Sequence, residues 1–159
     1  MEKILKKISE NKALVICLKA YSHLCVIASA AMFLLLEYNA YLVSAARALS
    51  LALSLLIPFV LVSVIRVIVN APRPYEVLEF FDNLPKNKKG RAFPSRHAFS
   101  VFVIATAAMP VYPILSAVLL LLGAGLCVAR VLLGIHFVRD VLAGAAIGIV
   151  SALLGIIIL

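Results

Sequence analysis

Apolar residues in this chain come in long blocks, not in the short alternations of a half-buried strand or the stripe of a surface helix. Crossing the hydrocarbon of a bilayer takes about 20 apolar residues in a helix. Blocks at 13–36, 41–69, 97–109, 114–133 and 141–159 follow that pattern, the third being short. The joints are polar or turn-forming. Glu37-Tyr38-Asn39 is expected to break the first block from the second, "MPVYP" at 109–113 to make a turn, and "GIHFVRD" at 134–140 to make a polar joint. The long polar segment is 70–96. Pro58 predicts a kink in the second span, and Gly144 with Gly148 a small-residue face for close helix packing. The expected fold class is therefore all-α: a polytopic membrane helix bundle of about five transmembrane helices, forming one domain over 1–159.

The first twelve residues, MEKILKKISENK, behave differently. Ile4, Leu5 and Ile8 share a helical face with Lys3, Lys6 and Lys7 beside it. That suits a short helix lying in the membrane interface. The apolar block behind it is too long for the core of a signal peptide, and no small-x-small cleavage site precedes a polar mature chain, so the segment is expected to be retained.

Composition supports this layout. With 65% hydrophobic and 14% charged residues, the chain holds more apolar surface than a soluble core can bury. Fifteen Lys and Arg against seven Asp and Glu give a net charge of +8. These cations flank apolar blocks, and no aromatic-basic interleaving accompanies them, so anionic headgroups or phosphorylated substrates are the expected partners and nucleic acid is not. Cys17, Cys25 and Cys127 sit in apolar segments and are read as small hydrophobic residues, without a disulfide or metal role.

Two spans separate the 70–96 segment from the 134–140 joint, which puts both on one side of the membrane. Three polar clusters then share that side: Arg66 and Arg73-Pro74; Pro94-Ser95-Arg96-His97; and Arg130, His136 and Asp140. His136 and Asp140 are four apart, the spacing of neighbours at a helix start. An Asp accepting from one imidazole nitrogen leaves the other as a nucleophile or base. Pro-Ser before an apolar run is an N-cap signal, and helix N-terminal amides bind anions. Guanidiniums suit bidentate phosphate contacts. Paired metal-binding carboxylates are missing. Together these residues describe phosphoryl transfer resting on positioning, charge and a covalent His intermediate.

The pattern resembles the type 2 phosphatidic acid phosphatase (PAP2) superfamily, which includes lipid phosphate phosphatases and vanadium haloperoxidases. The family pattern is Lys-x6-Arg-Pro, Pro-Ser-Gly-His and Ser-Arg-x5-His-x3-Asp. Here it is met by Arg66-x6-Arg73-Pro74, Pro94-Ser95-Arg96-His97 and Ala129-Arg130-x5-His136-x3-Asp140. The resemblance implies that His136 attacks phosphorus, Asp140 orients it, and His97 protonates the leaving group. It implies that Arg66, Arg73 and Arg130 hold phosphoryl oxygens with Ser95 and the amide of Arg96, and that no metal or other cofactor takes part. Three departures stand out. Arg66 replaces Lys, Ala129 replaces Ser, and Arg96 replaces Gly, where a glycine-specific backbone angle would be strained and the side chain would add a cation at the mouth.

Other polar residues have plainer readings. His23 is read as a helix-packing residue, Lys19, Arg47 and Arg139 as snorkelling cations, and Lys86, Lys88 and Lys89 as a headgroup-facing run. Asp82 and Glu76 are read as loop charges, and Tyr75 and Tyr112 as interface aromatics. The N-terminal lysines argue for a cytoplasmic N-terminus. The family layout argues for a site outside, and the expectation leans to the outer face of the cell membrane. Phosphatidic acid, phosphatidylglycerol phosphate and a polyprenyl diphosphate are the expected lipid phosphate substrates. A non-catalytic membrane protein or transporter that binds anionic lipid is the alternative. A haloperoxidase fits poorly, because those relatives are soluble.

Overall fold

The computed structural model describes residues 2–78 and 89–158, so Asp82, Lys86 and Lys88 lie outside the described residues. All seven described elements are helices: α1 Glu2–Glu10, α2 Lys12–Val43, α3 Ala45–Val69, α4 Pro74–Val77, α5 Arg96–Ala108, α6 Pro113–Leu132 and α7 Val138–Ile158. Among the described residues four stretches are long and apolar enough to cross a membrane: Lys12–Val43, Ala45–Val77, Pro113–Leu132 and Val138–Ile157. Their outer faces carry exposed Leu34, Ile68, Ile114, Leu121 and Ile157, the surface a bilayer would solvate.

The short third block becomes α5. Its 13 residues rise only about 20 Å, less than the roughly 30 Å of a hydrocarbon core. It is nevertheless the centre of the bundle, with Ala98, Phe99, Val101, Val103, Ala105, Thr106 and Ala108 all buried. Lipid gives no hydrophobic drive between helices, so close approach and packing hold them together. The small-residue face of α7 supplies that approach. A Cβ on Gly144 would strike the backbone of Ser95, and one on Gly148 would lie 2.7 Å from the carbonyl oxygen of Phe99. On its other sides α5 joins Cys25, Met32, Leu36 and Leu126 in one core cluster, and Leu55, Val62 and Ala152 in a second.

One predicted break lies elsewhere. The helix runs through Glu37-Tyr38-Asn39 and stops at Ser44, whose extended backbone and side chain cap α3 by accepting from Arg47 N–H at 3.1 Å. Polar side chains at a span end do not interrupt backbone pairing, whereas a residue that caps both helices does. Pro58 lies inside α3 and does not end it. The turn at 109–112 and the joint at 133–137 fall where the sequence puts them.

Helix α1 docks at the same end as the polar segments. Leu5 is buried against Tyr75, with Val15, Leu78 and Leu132 around them, while Lys6 and Lys7 are exposed.

Candidate active site

Chain turns bring the three clusters together. Helix α6 ends where Gly134 takes a left-handed φ of 64° and its N–H bonds to Val131 O. The Arg130 carbonyl then accepts from both Ile135 and His136 N–H, at 3.1 and 3.3 Å. Such a glycine stop is the usual way to satisfy the last carbonyls of a helix. Here it also fixes His136 six residues after Arg130. Two links tie the other clusters to this joint. Tyr75 N–H donates to Gly134 O at 3.2 Å, and Ser95 N–H donates to Asp140 O at 2.8 Å.

His136 and Asp140 are 2% and 0% exposed. His136 Nδ1 lies 3.7 Å from Asp140 Oδ2, an electrostatic contact looser than a hydrogen bond. The same oxygen accepts from Phe137 N–H at 2.9 Å, and Arg139 Nε lies 3.6 Å from the other one. Asp140 is thus held by the start of its own helix and faces the imidazole. Burial holds the His136 pKa below its usual value, the Arg130, Arg73 and Arg66 charges push the same way, and Asp140 opposes them. All three predicted arginines therefore act on one histidine.

His97 comes from the first turn of α5. Arg130 Nη2 sits against its ring, 2.7 Å from Nδ1 and 2.9 Å from Nε2. Arg66 is buried and donates to the carbonyls of Ala92, at 3.3 Å, and Pro94. Arg73 Nε donates to Gly90 O at 3.1 Å, and its guanidinium lies over the Tyr75 ring. Each guanidinium carries five N–H groups, so Arg66 and Arg73 both brace the 90–94 strand of coil and keep donors for a ligand. Ser95 is buried, and its hydroxyl oxygen caps α5, accepting from Ala98 N–H. Arg96 opens α5 with an exposed side chain and an ordinary φ, so the expected strain at that position is not there.

Glu76, read as a loop charge, has a structural job. Its Oε1 accepts from Arg73 N–H at 3.1 Å and Gly90 N–H at 2.8 Å. One carboxylate thereby clamps both ends of the loop that carries Arg73. The bond to Arg73 has a local signature, since Pro74 opens a turn and Glu76 follows three places after Arg73, a capping-box spacing, whereas the bond to Gly90 has none. His23 is exposed on α2 and so does not pack between helices as the sequence suggests, and Arg47 is exposed on α3.

Two clefts reach the histidines. One of about 510 Å³ lies between α2, α3 and α5, lined by Val26, Phe33, Phe59 and Ile104 and reaching His97. Another of about 510 Å³ lies under α1 and α4, lined by Leu5, Leu78 and Val131 and reaching His136. Each gives an apolar approach to a polar centre, the shape an amphipathic ligand needs.

The family model of the PAP2 superfamily matches residues 47–159, which include all three clusters. The crystal structure of LpxE from Aquifex aeolicus is similar, with a TM-score of 0.73 and 26% identity over 97% of this chain and 93% of that one. The first transmembrane PAP2-type phosphatidylglycerolphosphate phosphatase from Bacillus subtilis shares the fold. Its TM-score is 0.66, with 23% identity over 99% of this chain and 83% of that one. Comparison with curated proteins gave no match. A helical membrane bundle that gathers two histidines, an aspartate and three arginines at one end, matched by that family over most of its length, belongs to the PAP2 superfamily and is a multi-pass membrane phosphatase.

Proposed function

We propose that the protein hydrolyses a lipid phosphomonoester or diphosphate through a phosphohistidine on His136, without a metal. The observation that carries this reading is the buried His136, with Asp140 at 3.7 Å and three arginines acting on it. Asp140 beside Nδ1 leaves Nε2 to attack phosphorus. The bond from phosphorus to the lipid oxygen breaks as the P–N bond forms, and His97 gives its proton to the leaving oxygen. In the second half a water attacks the phosphohistidine and passes its proton to His97. The P–N bond breaks and orthophosphate leaves. Positive charge on Arg66, Arg73 and Arg130 offsets the charge on the equatorial oxygens, which is most of what phosphoryl transfer asks of a protein.

Arg130 has a double part. Against His97 its N–H groups face the imidazole, which must then accept and be neutral. A phosphoryl group is the stronger acceptor. On binding it takes over Arg130, which frees His97 to carry the proton it later donates. Candidate substrates are phosphatidic acid, phosphatidylglycerol phosphate and a polyprenyl diphosphate, entering sideways through the apolar clefts with their tails in the bilayer.

The reading includes the cell membrane and a site on its outer face. Helix α1 docks beside the site, so on this reading the N-terminus is outside too and its lysines bind anionic headgroups of that leaflet. Labelling of a cysteine placed at exposed Lys89 by an impermeant thiol reagent on whole cells tests this. The test of the activity is phosphate release from the three lipids by detergent-purified protein. Turnover is expected to survive EDTA, to be inhibited by vanadate and to vanish in His136→Ala. Loss of turnover on adding EDTA contradicts the metal-free mechanism, and full turnover in His136→Ala contradicts the nucleophile.

A further inference from the structure

Beside the catalytic cluster lies a second, cationic cleft. It has a volume of about 510 Å³ and is lined by Ser63, Arg66, Arg73, Lys89, Arg91 and Arg96. It contains neither histidine. Arg66 and Arg73 form the wall it shares with the catalytic cluster, while Lys89, Arg91 and Arg96 are exposed. Among the described residues no carboxylate lies within ion-pair distance of those three.

Its backbone is held in an uncommon shape. Gly90 and Arg91 both have left-handed φ, 64° and 55°, and so does Asn70 opposite them, at 41°. A Cβ on Gly90 would strike the Asn70 side chain. A left-handed Arg is uncommon, and such conformations persist where the surroundings over-determine them. Here those surroundings are the Glu76 bond to Gly90 N–H, the Arg73 bond to Gly90 O and the pairing of Ala92 N–H with Ala71 O. The loop is thus pinned so that its cations converge on one space. Five cations around one cleft repel each other, and an anion relieves that cost.

Arg96 connects this cleft to the rest of the site. It lines both the basic cleft and the apolar one that reaches His97. A lipid with its tail in the apolar cleft brings its headgroup to Arg96 and His97 together, with the cations of the basic cleft beside them. We infer that the basic cleft binds a second, non-scissile phosphate, so that the preferred substrate is a lipid carrying two phosphate groups. This rests on the proposed phosphatase reading for the position of the scissile group.

The test uses three lipids with the same acyl chains: phosphatidic acid, diacylglycerol diphosphate and phosphatidylglycerol phosphate. The last two place the second phosphate next to the scissile one or a glycerol away. The variants are Lys89→Ala and Arg91→Gly, alone and combined. Glycine accepts the left-handed φ without strain. Losing charged hydrogen bonds to one phosphate is worth about tenfold or more. The combined variant is expected to lower kcat/KM about 10-fold for at least one doubly phosphorylated lipid relative to phosphatidic acid. Which of the two lipids responds reports the spacing. Equilibrium binding of the same lipids in micelles to His136→Ala, with and without the two substitutions, is expected to show the same ratio without turnover. An unchanged ratio in both measurements overturns the second-phosphate site. If the wild type cleaves none of the lipids while binding keeps its ratio, the catalytic reading fails and the basic cleft stands.

Discussion

Two groups of cations sit side by side at one end of this bundle, and they are built in opposite ways. Around His136 the positive charges are Arg66, Arg73 and Arg130, the first two buried, and the histidine itself is 2% exposed. Their backbone comes from helix ends and a glycine stop. In the neighbouring cleft Lys89, Arg91 and Arg96 are exposed, the first two on a loop pinned by Glu76 and the third at the start of α5. Burial makes charge effective, because low dielectric strengthens each interaction. It also makes charge costly to misplace. Exposure makes each contact weaker and easier to change. The difference suggests a division of labour, with reaction chemistry in the buried group and substrate choice in the exposed one.

Substitutions test that division, and the largest effects are expected in the buried group. His136→Ala removes the proposed nucleophile and is expected to cost on the order of 10⁴-fold in kcat or more. Asp140→Asn, which keeps size but not charge, is expected to cost roughly 10²- to 10⁴-fold. Steady-state phosphate release measures both. His97→Ala is expected to cost about 10²- to 10³-fold on a lipid phosphate. On an aryl phosphate, whose leaving group needs no proton, the loss should be far smaller. Equal losses on both substrates would remove His97 from the acid role.

The clamp between the two regions should give an intermediate effect. Glu76→Ala frees Arg73 N–H and Gly90 N–H to water, and kcat/KM is expected to fall about 3- to 10-fold, roughly the worth of one or two hydrogen bonds. The fall should lie mainly in KM, since the loop aims ligands and carries no reacting atom.

The smallest signal is a pH shift. Burial and the arginine charges lower the His136 pKa, so its neutral, nucleophilic form persists below the usual histidine range. The acid limb of kcat/KM that belongs to His136 is expected below about pH 6.5. Arg73→Ala removes one of the cations that depress this pKa. The pKa then rises and the limb moves to higher pH. A limb that stays in place or moves to lower pH would show that Arg73 does not act on the nucleophile's charge.

Much of this was legible in the sequence, for identifiable reasons. Block lengths gave the helices, because a bilayer fixes how many apolar residues a span needs. The fixed intervals from Arg66 to Arg73 and from Arg130 to His136 and Asp140 survive into space because helices and a glycine stop hold them. Three things were not legible. Glu37-Tyr38-Asn39 reads as a break but continues α2, since only cap geometry at Ser44 reveals the true end. The central place of α5 is hidden by its short length. Its packing depends on Gly144 and Gly148 of a helix some 45 residues later, and that partner is set by tertiary structure. Glu76 reads as a loop charge because its partner Gly90 N–H lies fourteen residues away.

Whether phosphate passes through His136 is decided by rapid-quench labelling. Purified protein turning over a radiolabelled lipid phosphate is stopped in base, where phosphohistidine is stable, and digested to locate the label. An acid-labile label is expected on the peptide carrying His136, formed within one turnover and absent in His136→Ala. Turnover by the wild type with no label at His136, or the same label in His136→Ala, would contradict passage through His136.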